Sequence, residues 1–497
     1  MIKICTTLLL TVFASFAWSQ QKPNIIFIMA DDQGYSEASC YYPESKIKTP
    51  GIDRIAAEGM RFTDAHSSSA VCTPTRYGLL TGRYSWRTKL QEGVLSAGAP
   101  CLIANEILTV PELLKEAGYH TALIGKWHLG YQYDMPEGTK ITKVKESYKR
   151  HDGTVNKTTR GEAPRGSKVI NGPLAHGFDV FKGFHYAREM RSWTEQDEVI
   201  ENLDTIHMLP RLAKSSVEYI EERSKEKETP FFMYVALGSP HTPIVASNEW
   251  YEKIGHEYFA FVEQSDDAVV QILNALDRTG LTEKTLVFFT ADNGTSKAAG
   301  LEDLKKNGHD VHFLLRGSKA DVWDGGHRVP YVVRWPGVIK PGSVSNELIC
   351  HNNFIATCAD ILDITLPENA GVDSFSILSV LKGETSNGST HPYVVHHSVS
   401  GGFAIREGDW KFIFGTNSMG WTKGGDDKPS QLYNMAEDIA EQNNLSDTMP
   451  EKVSHLTALM EKSIADGRST PGLQMKNDVP IELWKKQGKD KGKKKKK

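Results

Sequence analysis

The chain has 497 residues, of which 39% are hydrophobic and 24% charged, with a formal net charge of −4. This balance is ordinary for a globular enzyme, and after the N-terminus no stretch approaches the ~20 apolar residues that a membrane span requires. The composition therefore excludes an integral membrane protein, and we expect no nucleic-acid partner. Because a single core rarely grows beyond about 250–300 residues, we expect one large domain and one smaller domain.

The N-terminus has the pattern of an export signal. Lys3 precedes an apolar run from Leu8 to Trp18, and Ala17–Ser19 places small residues at the two positions that a signal peptidase reads. We interpret residues 1–19 as a signal peptide and expect a periplasmic or secreted protein. Cys5 lies too early in the chain to serve as a lipoprotein anchor.

The first predicted strand, Asn24–Met29, is a continuous apolar run followed closely by Asp31 and Asp32. Such runs are typical of parallel strands that are covered on both faces. A helix is predicted from Pro50 to Gly59. Strand followed by helix indicates an α/β fold.

A pair of aspartates after a strand is often only a turn or a helix cap, so Asp31 and Asp32 alone do not indicate a site.

Residues 72–82 read Cys-Thr-Pro-Thr-Arg-Tyr-Gly-Leu-Leu-Thr-Gly. Pro74 suits the first turn of a helix, which would place Cys72 at the positive end of the helix dipole, where an anion is stabilised. A lone cysteine is usually a small buried apolar residue. A cysteine with Pro74, Arg76 and Gly82 at these spacings instead favours a functional site.

A second helix is predicted from Thr109 to Gly118, and it leads into a strand at Tyr119–Ile124. This strand runs into Gly-Lys-Trp-His-Leu-Gly at residues 125–130, which supplies Lys126 and His128. Polar, potentially catalytic side chains thus follow a second buried strand.

The segment 131–172 is polar, glycine-rich and basic, and we expect a long loop without regular structure. Long loops in compact enzymes are usually functional or disordered. We predict a wall that binds a polyanionic chain, with Tyr131, Tyr133 and Trp193 as platforms for sugar rings; a solvated loop is an equal alternative. The basic residues of the segment are Lys140, Lys143, Lys145, Lys149, Arg150, Lys157, Arg160, Arg165 and Lys168.

Two further apolar runs end in polar residues. The run Phe231–Leu237 precedes His241, and Thr285–Thr290 precedes Asp292 and Asn293. Because ligands of open α/β sheets gather at the carboxyl ends of the strands, we expect the ends of all four predicted strands to form one site. A lone histidine is more often structural than catalytic, so the case for His241 depends on these neighbours.

The carboxylate and amide side chains at the strand ends offer oxygen ligands only. Such a set suits a hard divalent cation, Ca²⁺ or Mg²⁺, rather than zinc. The residues are Asp31, Asp32, Asp292 and Asn293.

Together these motifs resemble the formylglycine-dependent (type I) sulfatases of the alkaline-phosphatase-like superfamily. The resemblance covers nearly the whole chain after the signal peptide. It rests on Cys-x-Pro-x-Arg at 72–76, on the motif at 125–130 and on Asp-Gly-Gly-His-Arg-Val-Pro at 324–330, where aspartate replaces the family's usual glutamate. It implies an α/β, alkaline-phosphatase-like sandwich with a large, mostly parallel central sheet flanked by helices, plus a smaller C-terminal domain with a short antiparallel sheet and a helix.

The resemblance also implies chemistry and residue roles. A formylglycine-generating maturation enzyme would convert Cys72 to 3-oxoalanine, whose hydrate is the nucleophile that attacks sulfur. One Ca²⁺ per chain would be held by Asp31, Asp32, residue 72, Asp292 and Asn293. The implied catalytic residues are Cys72, Arg76, Lys126, His128, His241 and Lys319.

Each implied catalytic residue has an expected contact. Arg76 and His128 would contact the hydrate, and Lys126 the sulfate. His241 and Lys319 would contact the sulfate and the bridging oxygen, and one of the two would protonate the leaving alcohol. For His327, a position facing the substrate and a position packed within its loop are equal alternatives.

The C-terminal part is predicted to form antiparallel strands from about residue 390, followed by a helix at Glu451–Ile464. The predicted strands are Tyr393–His397, Phe403–Arg406 and Trp410–Phe414. The expected organisation is a signal peptide at 1–19, a catalytic domain at 22–385, an antiparallel-sheet subdomain at 386–475 and a disordered lysine-rich tail at 476–497.

Four cysteines remain besides Cys5 and Cys72. They are Cys40, Cys101, Cys350 and Cys358. An exported protein permits disulfides. The sequence does not fix a pairing, and Cys350 with Cys358 is the most local choice.

Export and the basic segment favour a sulfated polysaccharide or its oligosaccharides as substrate. Algal polymers such as ulvan or a sulfated galactan are expected, and glycosaminoglycans fit the same features. One alternative is a phosphomonoesterase or phosphodiesterase of the same superfamily, for which we expect a Thr or Ser nucleophile and a second metal with more histidine ligands. The other is a non-catalytic protein that binds sulfated glycans, if Cys72 is never matured.

Overall fold

The computed structural model describes residues 22–384 and 390–485. The predicted signal peptide and the lysine-rich end of the chain from residue 486 lie outside these ranges. Among the described helices, none combines the length and the apolar character needed to cross a bilayer.

Both strands and helices occur in the described residues. The strands are β1 (Asn24–Asp31), β2 (Met60–Phe62), β3 (Ala65–His66), β4 (His120–Lys126), β5 (Gln132–Asp134), β6 (Thr142–Lys149), β7 (Val155–Glu162), β8 (Lys168–Ile170), β9 (Val180–Phe184), β10 (Ser192–Glu195), β11 (Glu198–Asn202), β12 (Phe231–Pro240), β13 (Thr285–Ala291), β14 (Tyr331–Arg334), β15 (Ser343–Ser345), β16 (Ile349–Cys350), β17 (Val394–His397), β18 (Phe403–Glu407), β19 (Trp410–Ile413) and β20 (Gln431–Asn434). The helices are α1 (Pro50–Ala57), α2 (Cys72–Thr81), α3 (Val110–Glu116), α4 (Met208–Arg223), α5 (Asn248–Ile254), α6 (Glu257–Thr279), α7 (Leu301–Lys306), α8 (Asp324–His327), α9 (Phe354–Ile361), α10 (Leu378–Leu381) and α11 (Pro450–Asp466).

A 12-stranded sheet lies at the centre of the described structure, in the order β15-β2-β14-β13-β1-β12-β4-β9-β10-β11-β8-β5. Its middle strands β13, β1, β12, β4 and β9 run parallel. Strands that pair mainly antiparallel extend the sheet on both sides. The predicted α/β fold with a large central sheet is confirmed, and the four strands predicted from apolar runs are β1, β4, β12 and β13.

The apolar runs form central strands because both of their faces are buried. Along β1, Phe27 belongs to the apolar cluster that also contains Leu80 of α2, while its neighbour Ile28 belongs to the cluster that also contains Leu212 of α4 and Ile272 of α6. Successive side chains of a strand point to opposite faces, so a strand with helices on both sides needs an apolar residue at every position.

The C-terminal part contains the predicted antiparallel sheet and helix. Strands β17, β18, β19 and β20 pair antiparallel in that order, and Leu456 and Met460 of α11 pack in the same apolar cluster as Phe412 of β19. The smaller C-terminal sheet with a helix is thereby confirmed.

The predicted start of the disordered tail, residue 476, lies too early in the chain. Asp478 accepts a hydrogen bond of 2.9 Å from Arg83 Nη2, and the ring of Trp484 lies 5.2 Å from that of Phe414. Residues 476–485 therefore pack against the folded protein. The basic composition beyond residue 485 gave no indication of these contacts.

The segment 131–172 contains strands, and the prediction of a loop without regular structure was wrong. Strands β6 and β7 pair over their whole length as an antiparallel hairpin, and β5 pairs with β8. Arg150, at the turn of this hairpin, is buried and donates to Glu257 of α6 over 3.0 Å. One of the basic residues assigned to polyanion binding is thus neutralised inside the protein.

The five cysteines of the described residues are free thiols. The local pairing of Cys350 with Cys358 is therefore wrong. Cys358 on α9 packs in the cluster beneath the central sheet, whereas Cys350 packs in the cluster of the C-terminal sheet. Proximity in sequence does not bring the two side chains together because they face different cores.

A buried ion pair of the catalytic part also contacts the C-terminal helix α11. Arg87 donates to both oxygens of Asp373 over 2.7 and 2.8 Å, and both side chains are inaccessible to solvent. Arg87 also donates to the backbone oxygen of Ser463 on α11 over 3.0 Å.

We expect Arg87→Met to reduce the free energy of unfolding by about 3–5 kcal/mol, because it leaves the Asp373 carboxylate buried without its partner. Urea unfolding followed by circular dichroism measures this loss. The matched control is Lys214→Met, which removes an exposed cation whose side chain is 66% accessible and should change stability little. Equal stability of the two variants would contradict the assigned role of the buried pair.

Candidate active site

The four predicted strand ends meet at one edge of the sheet. Strand β1 ends at Asp31 and β4 ends at Lys126, while His241 follows β12 and Asp292 follows β13. The strands are neighbours in the order β13-β1-β12-β4, and all three pairs are parallel, so their carboxyl ends point the same way. The sheet therefore brings these four side chains together, as the strand pattern predicts.

Cys72 is the first residue of α2, and all ten residues of this helix are buried. Its Sγ lies 3.6 Å from Asp31 Oδ1 and 3.6 Å from Lys319 Nζ. The helix ends at Gly82, whose φ of 63° is left-handed and whose backbone nitrogen donates to Gly78 O. The glycine closes the helix where a side chain would strain the backbone.

The oxygen-bearing residues cluster beside Cys72. The backbone nitrogen of Asp32 donates to Asp292 Oδ1 over 3.1 Å, and Asn293 Nδ2 donates to Asp32 Oδ1 over 2.8 Å. Ligand atoms of Asp31, Asp32, Cys72 and His241 all lie within 4.8 Å of one another.

One amide oxygen in this cluster lacks a donor. Asn293 Oδ1 is buried and has no hydrogen-bond partner in the part of the chain that the structure describes. A buried acceptor beside three carboxylates, with its own nitrogen already used, suits an oxygen-ligated cation. The residues present therefore fit a hard divalent ion.

Three cationic side chains pair with the three carboxylates. Lys126 Nζ lies 2.5 Å from Asp31 Oδ2, Arg76 Nη2 lies 2.8 Å from Asp292 Oδ2, and Lys319 Nζ donates to Asp32 Oδ1. The three positive charges balance the three negative charges within the buried cluster. The two lysines also place their ammonium groups beside Cys72.

The pairing shifts the acidities of the carboxyl groups. Burial alone would raise the pKa of Asp31, but the surrounding cations, led by Lys126, lower it well below its usual value. For Asp292, burial and the adjacent charge of Asp31 outweigh Arg76 and raise the pKa to about 6. The two carboxyl groups thus differ because Asp31 is surrounded by more positive charge.

The two histidines occupy different positions in the site. His128 has a left-handed φ of 53°, its Nε2 lies 3.3 Å from Leu95 O, and its buried Nδ1 has no partner among the described residues. His241 Nδ1 donates to Thr242 O over 2.7 Å, so its Nε2, which lies 3.8 Å from Asp32 Oδ2, is the nitrogen that faces the acidic cluster.

A cleft of about 670 Å³ opens onto Cys72. Among the predicted catalytic residues, Lys126, His128, His241 and Lys319 line it with Cys72. Arg76 does not line this cleft, since it lies behind Asp292 with its Nη1 3.3 Å from Tyr234 Oη.

The cleft also includes residues that the sequence did not indicate. They are Tyr186, Arg188, Lys297 and Trp421. Trp421 comes from the C-terminal part and is 47% exposed. None of these residues belongs to a local motif, and only the tertiary packing brings them to the cleft. Arg160 of the basic segment also lines it.

Two of the proposed sugar platforms are buried. Tyr131 is 1% exposed and Trp193 is 0% exposed, so neither can stack on a substrate ring, and that prediction was wrong. Tyr131 packs in the apolar cluster that contains Phe181 of β9, and Trp193 on β10 packs in the cluster that contains Leu212 of α4.

His327 packs within the protein. It is fully buried, its Nδ1 lies 3.0 Å from His66 Nδ1, and its ring stacks on that of His396 at 3.8 Å. Asp324, which stands where glutamate is usual in the resembled motif, contacts Arg328 at 3.3 Å and Lys411 at 2.7 Å. Aspartate, although shorter than glutamate, thus reaches Arg328.

Two family models match the chain. The sulfatase family matches residues 23–364, and the model described as N-sulphoglucosamine sulphohydrolase, C-terminal, matches residues 318–469. The first match covers the central sheet and every predicted site residue.

Curated proteins and a solved structure agree with this match. The chain is 32% identical over 489 residues to the N-acetylgalactosamine-6-O-sulfatase of Bacteroides thetaiotaomicron, covering 89% of this chain and 93% of that protein. It is 30% identical to human arylsulfatase A over 481 residues, covering 88% and 86%. A solved structure from work on the metabolism of multiple glycosaminoglycans by B. thetaiotaomicron superposes with a TM-score of 0.75 at 27% identity, covering 89% and 99%. The chain belongs to the sulfatase family and is a sulfuric ester hydrolase.

Proposed function

We propose that the protein removes sulfate from a sulfated carbohydrate through formylglycine at position 72 and a bound Ca²⁺. The observation that carries the proposal is the convergence at Cys72 of two lysines, an acidic cluster and an open cleft. A sulfate ester is an anion, so its hydrolysis needs both an activated nucleophile and neutralisation of the sulfuryl oxygens.

The calcium ion would be held by Asp31, Asp32, Asp292 and Asn293, together with residue 72. It would act as a Lewis acid toward a sulfate oxygen. Support comes from the all-oxygen donor set and from the buried Asn293 Oδ1 that lacks a partner among the described residues.

Lys126 and Lys319 would bind the sulfate group. Lys319 Nζ lies 3.6 Å from Cys72 Sγ, so its ammonium group is within reach of an anion held at residue 72. Both lysines are buried, and positive charge in such a site stabilises a developing negative charge more strongly than it would in water.

Two histidines would move protons. His241 Nε2 faces the cleft because Nδ1 donates to Thr242 O. Nε2 would donate a proton to the leaving alcohol from the doubly protonated ring. Burial lowers the pKa of His241, but the adjacent carboxylate of Asp32 opposes this shift and favours the protonated ring. His128 Nδ1 is free of protein contacts among the described residues, and it would hold a proton of the hydroxyl groups at residue 72.

A phosphatase of the same superfamily fits these residues less well. Lys126 and Lys319 pair directly with Asp31 and Asp32, so ammonium groups supply the charge that a second metal would otherwise supply. A cysteine also stands at the position of the nucleophile, where a phosphatase would be expected to use Thr or Ser.

The relatives and the cleft support a sulfated sugar as the substrate. A relative at 32% identity is named an N-acetylgalactosamine-6-O-sulfatase, which makes 6-O-sulfated N-acetylgalactosamine the first compound to test. Ulvan and sulfated galactans are further compounds to test.

We further propose that residues 1–19 direct export and that a formylglycine-generating enzyme matures Cys72.

The experiment is sulfate release from a panel of desalted glycosaminoglycan and algal oligosaccharides, with p-nitrophenyl sulfate and p-nitrophenyl phosphate included. We expect release from at least one sulfated sugar and none from the phosphate ester. Cys72→Ala protein, which cannot carry formylglycine, is the control and should release no sulfate. Hydrolysis of the phosphate ester alone would contradict the proposal.

A further inference from the structure

Two arginines in the cleft have no acidic partner. Arg160 on β7 and Arg188 after β9 both line the cleft that contains Cys72, and neither forms an ion pair within residues 22–384 and 390–485. By contrast, the nearby Arg150 and Arg191 are buried against carboxylates. Of these four neighbouring arginines, the two without an ion pair are the two that line the cleft.

The protein holds the two unpaired arginines side by side. The backbone nitrogen of Gly161 donates to Arg188 O over 2.6 Å, which joins β7 to the segment after β9. A side chain at residue 161 would crowd this contact, since an added Cβ would lie 3.2 Å from Arg188 O. The glycine therefore allows the two backbones to approach closely.

The hairpin that carries Arg160 is fixed at both ends. Arg191 donates to Glu162 over 3.0 Å and to Asp204 over 2.7 Å at the base of the hairpin. At the turn, Arg150 donates to Glu257 over 3.0 Å. These contacts fix both ends of the hairpin, so the backbone that carries Arg160 is in position before any ligand binds.

The Arg160 guanidinium has unused hydrogen-bonding capacity. Its Nη1 donates to Thr159 O over 2.8 Å, but its buried Nε has no partner among the described residues. The carboxylate of Glu146 acts on it from a distance but is bound by Arg191 and by Thr205. Burial and the like charge of Arg188 lower the pKa of Arg160, although Glu146 opposes the shift.

We propose that Arg160 and Arg188 form a second anion subsite, which binds a carboxylate or sulfate group on the sugar adjoining the one that carries the scissile sulfate. A guanidinium binds either anion through two parallel hydrogen bonds, and an anion would relieve the repulsion between the two arginines. The inference rests on the proposed function, because it assumes a carbohydrate chain with the scissile sulfate at residue 72. It makes the preferred substrate a chain with more than one anionic group.

The test compares three probes that share one scissile group. They are disaccharides of 6-O-sulfated N-acetylgalactosamine joined to a neutral hexose, to a hexuronic acid or to a second sulfated sugar. For each, kcat/KM is measured with the wild type and with the Arg160→Gln, Arg188→Gln double variant. We expect the wild type to prefer an anionic neighbour, and the double variant to lower that preference about tenfold or more, as expected for loss of one charged hydrogen-bonded contact.

A matched control removes the same amount of charge from the hairpin that carries Arg160. Lys143 and Lys149 on β6 are exposed and do not line the cleft, so the Lys143→Gln, Lys149→Gln variant should keep the wild-type preference. The preference of the wild type should also fall as salt is raised, and the preference of the arginine variant should respond less.

The two proposals fail in different ways. A wild type that hydrolyses none of the sulfated sugars overturns the proposed function and the subsite with it. Hydrolysis of all three probes at equal kcat/KM by the wild type overturns the subsite alone. The subsite alone is also overturned if the arginine variant loses activity equally on all three probes. It is likewise overturned if the lysine variant loses the preference for an anionic neighbour to the same extent as the arginine variant. Preference for the hexuronic acid or for the second sulfate identifies the anion.

Discussion

Cys72→Ser should lower sulfate release on the order of a thousandfold or more, because serine would provide one hydroxyl group where the proposed formylglycine hydrate has two. The second hydroxyl is needed to expel sulfate from residue 72 after the alcohol leaves. The buried helix start and its neighbours Asp31 and Lys319 should be unchanged, since serine adds no bulk to the site and its hydroxyl can hydrogen-bond to both groups. Sulfate release under multiple turnover measures the loss.

The control for this variant is Cys101→Ser. It makes the same chemical change at a half-buried thiol that does not line the cleft, and it should retain activity. Thermal unfolding of both variants shows whether the fold is kept. Multiple turnover by Cys72→Ser at the wild-type rate would contradict the need for two hydroxyl groups.

Asn293→Ala should weaken calcium binding at least about tenfold, since it removes a ligand whose oxygen has no other role among the described residues. If calcium binds the folded but not the unfolded chain, it should stabilise the wild type by about 2.7 kcal/mol at a concentration one hundred times the Kd. Thermal unfolding of chelator-treated protein during calcium titration gives the affinity without any activity assay. The variant should need more calcium for the same rise in Tm.

Asn307→Ala is the control for the calcium experiment because Asn307 is an exposed residue at the end of α7. Its calcium response should match that of the wild type. Zinc at full occupancy, with no effect of calcium on Tm, would contradict the all-oxygen site.

Local pattern was sufficient to predict the centre of the fold. The runs at Asn24–Met29 and Thr285–Thr290 are apolar at nearly every position because each strand is covered on both faces. Polar residues directly after such runs must lie at the carboxyl edge of a parallel sheet. The proximity of Asp31 and Asp292 could therefore be predicted from the strands alone, whereas the roles of these residues came from the family resemblance.

The hairpin of β6 and β7 could not be predicted in the same way. Its residues are mostly polar on both faces, so the alternation that indicates a strand is weak. Its stability depends on ion pairs with distant residues, such as Arg150 with Glu257, which are 107 positions apart. Charge composition indicated a basic surface but did not distinguish Arg150, which is neutralised, from Arg160, which faces the cleft.

The outer part of the cleft also depends on tertiary packing. Trp421 is held there because its backbone nitrogen donates to Asp321 Oδ1 over 2.8 Å, a contact between the catalytic and C-terminal parts. The side chain could not be assigned to the cleft from its own neighbours in sequence. The same applies to Arg188, whose position depends on the contact with Gly161.

Peptide mass spectrometry of residue 72 shows whether formylglycine is the nucleophile, in protein purified in an active state from a host that has the maturation enzyme. We expect the peptide containing residues 72–82 to have formylglycine at position 72, and activity across preparations to rise in proportion to the modified fraction. Full activity in a preparation in which residue 72 is entirely unmodified cysteine would rule out formylglycine as the nucleophile.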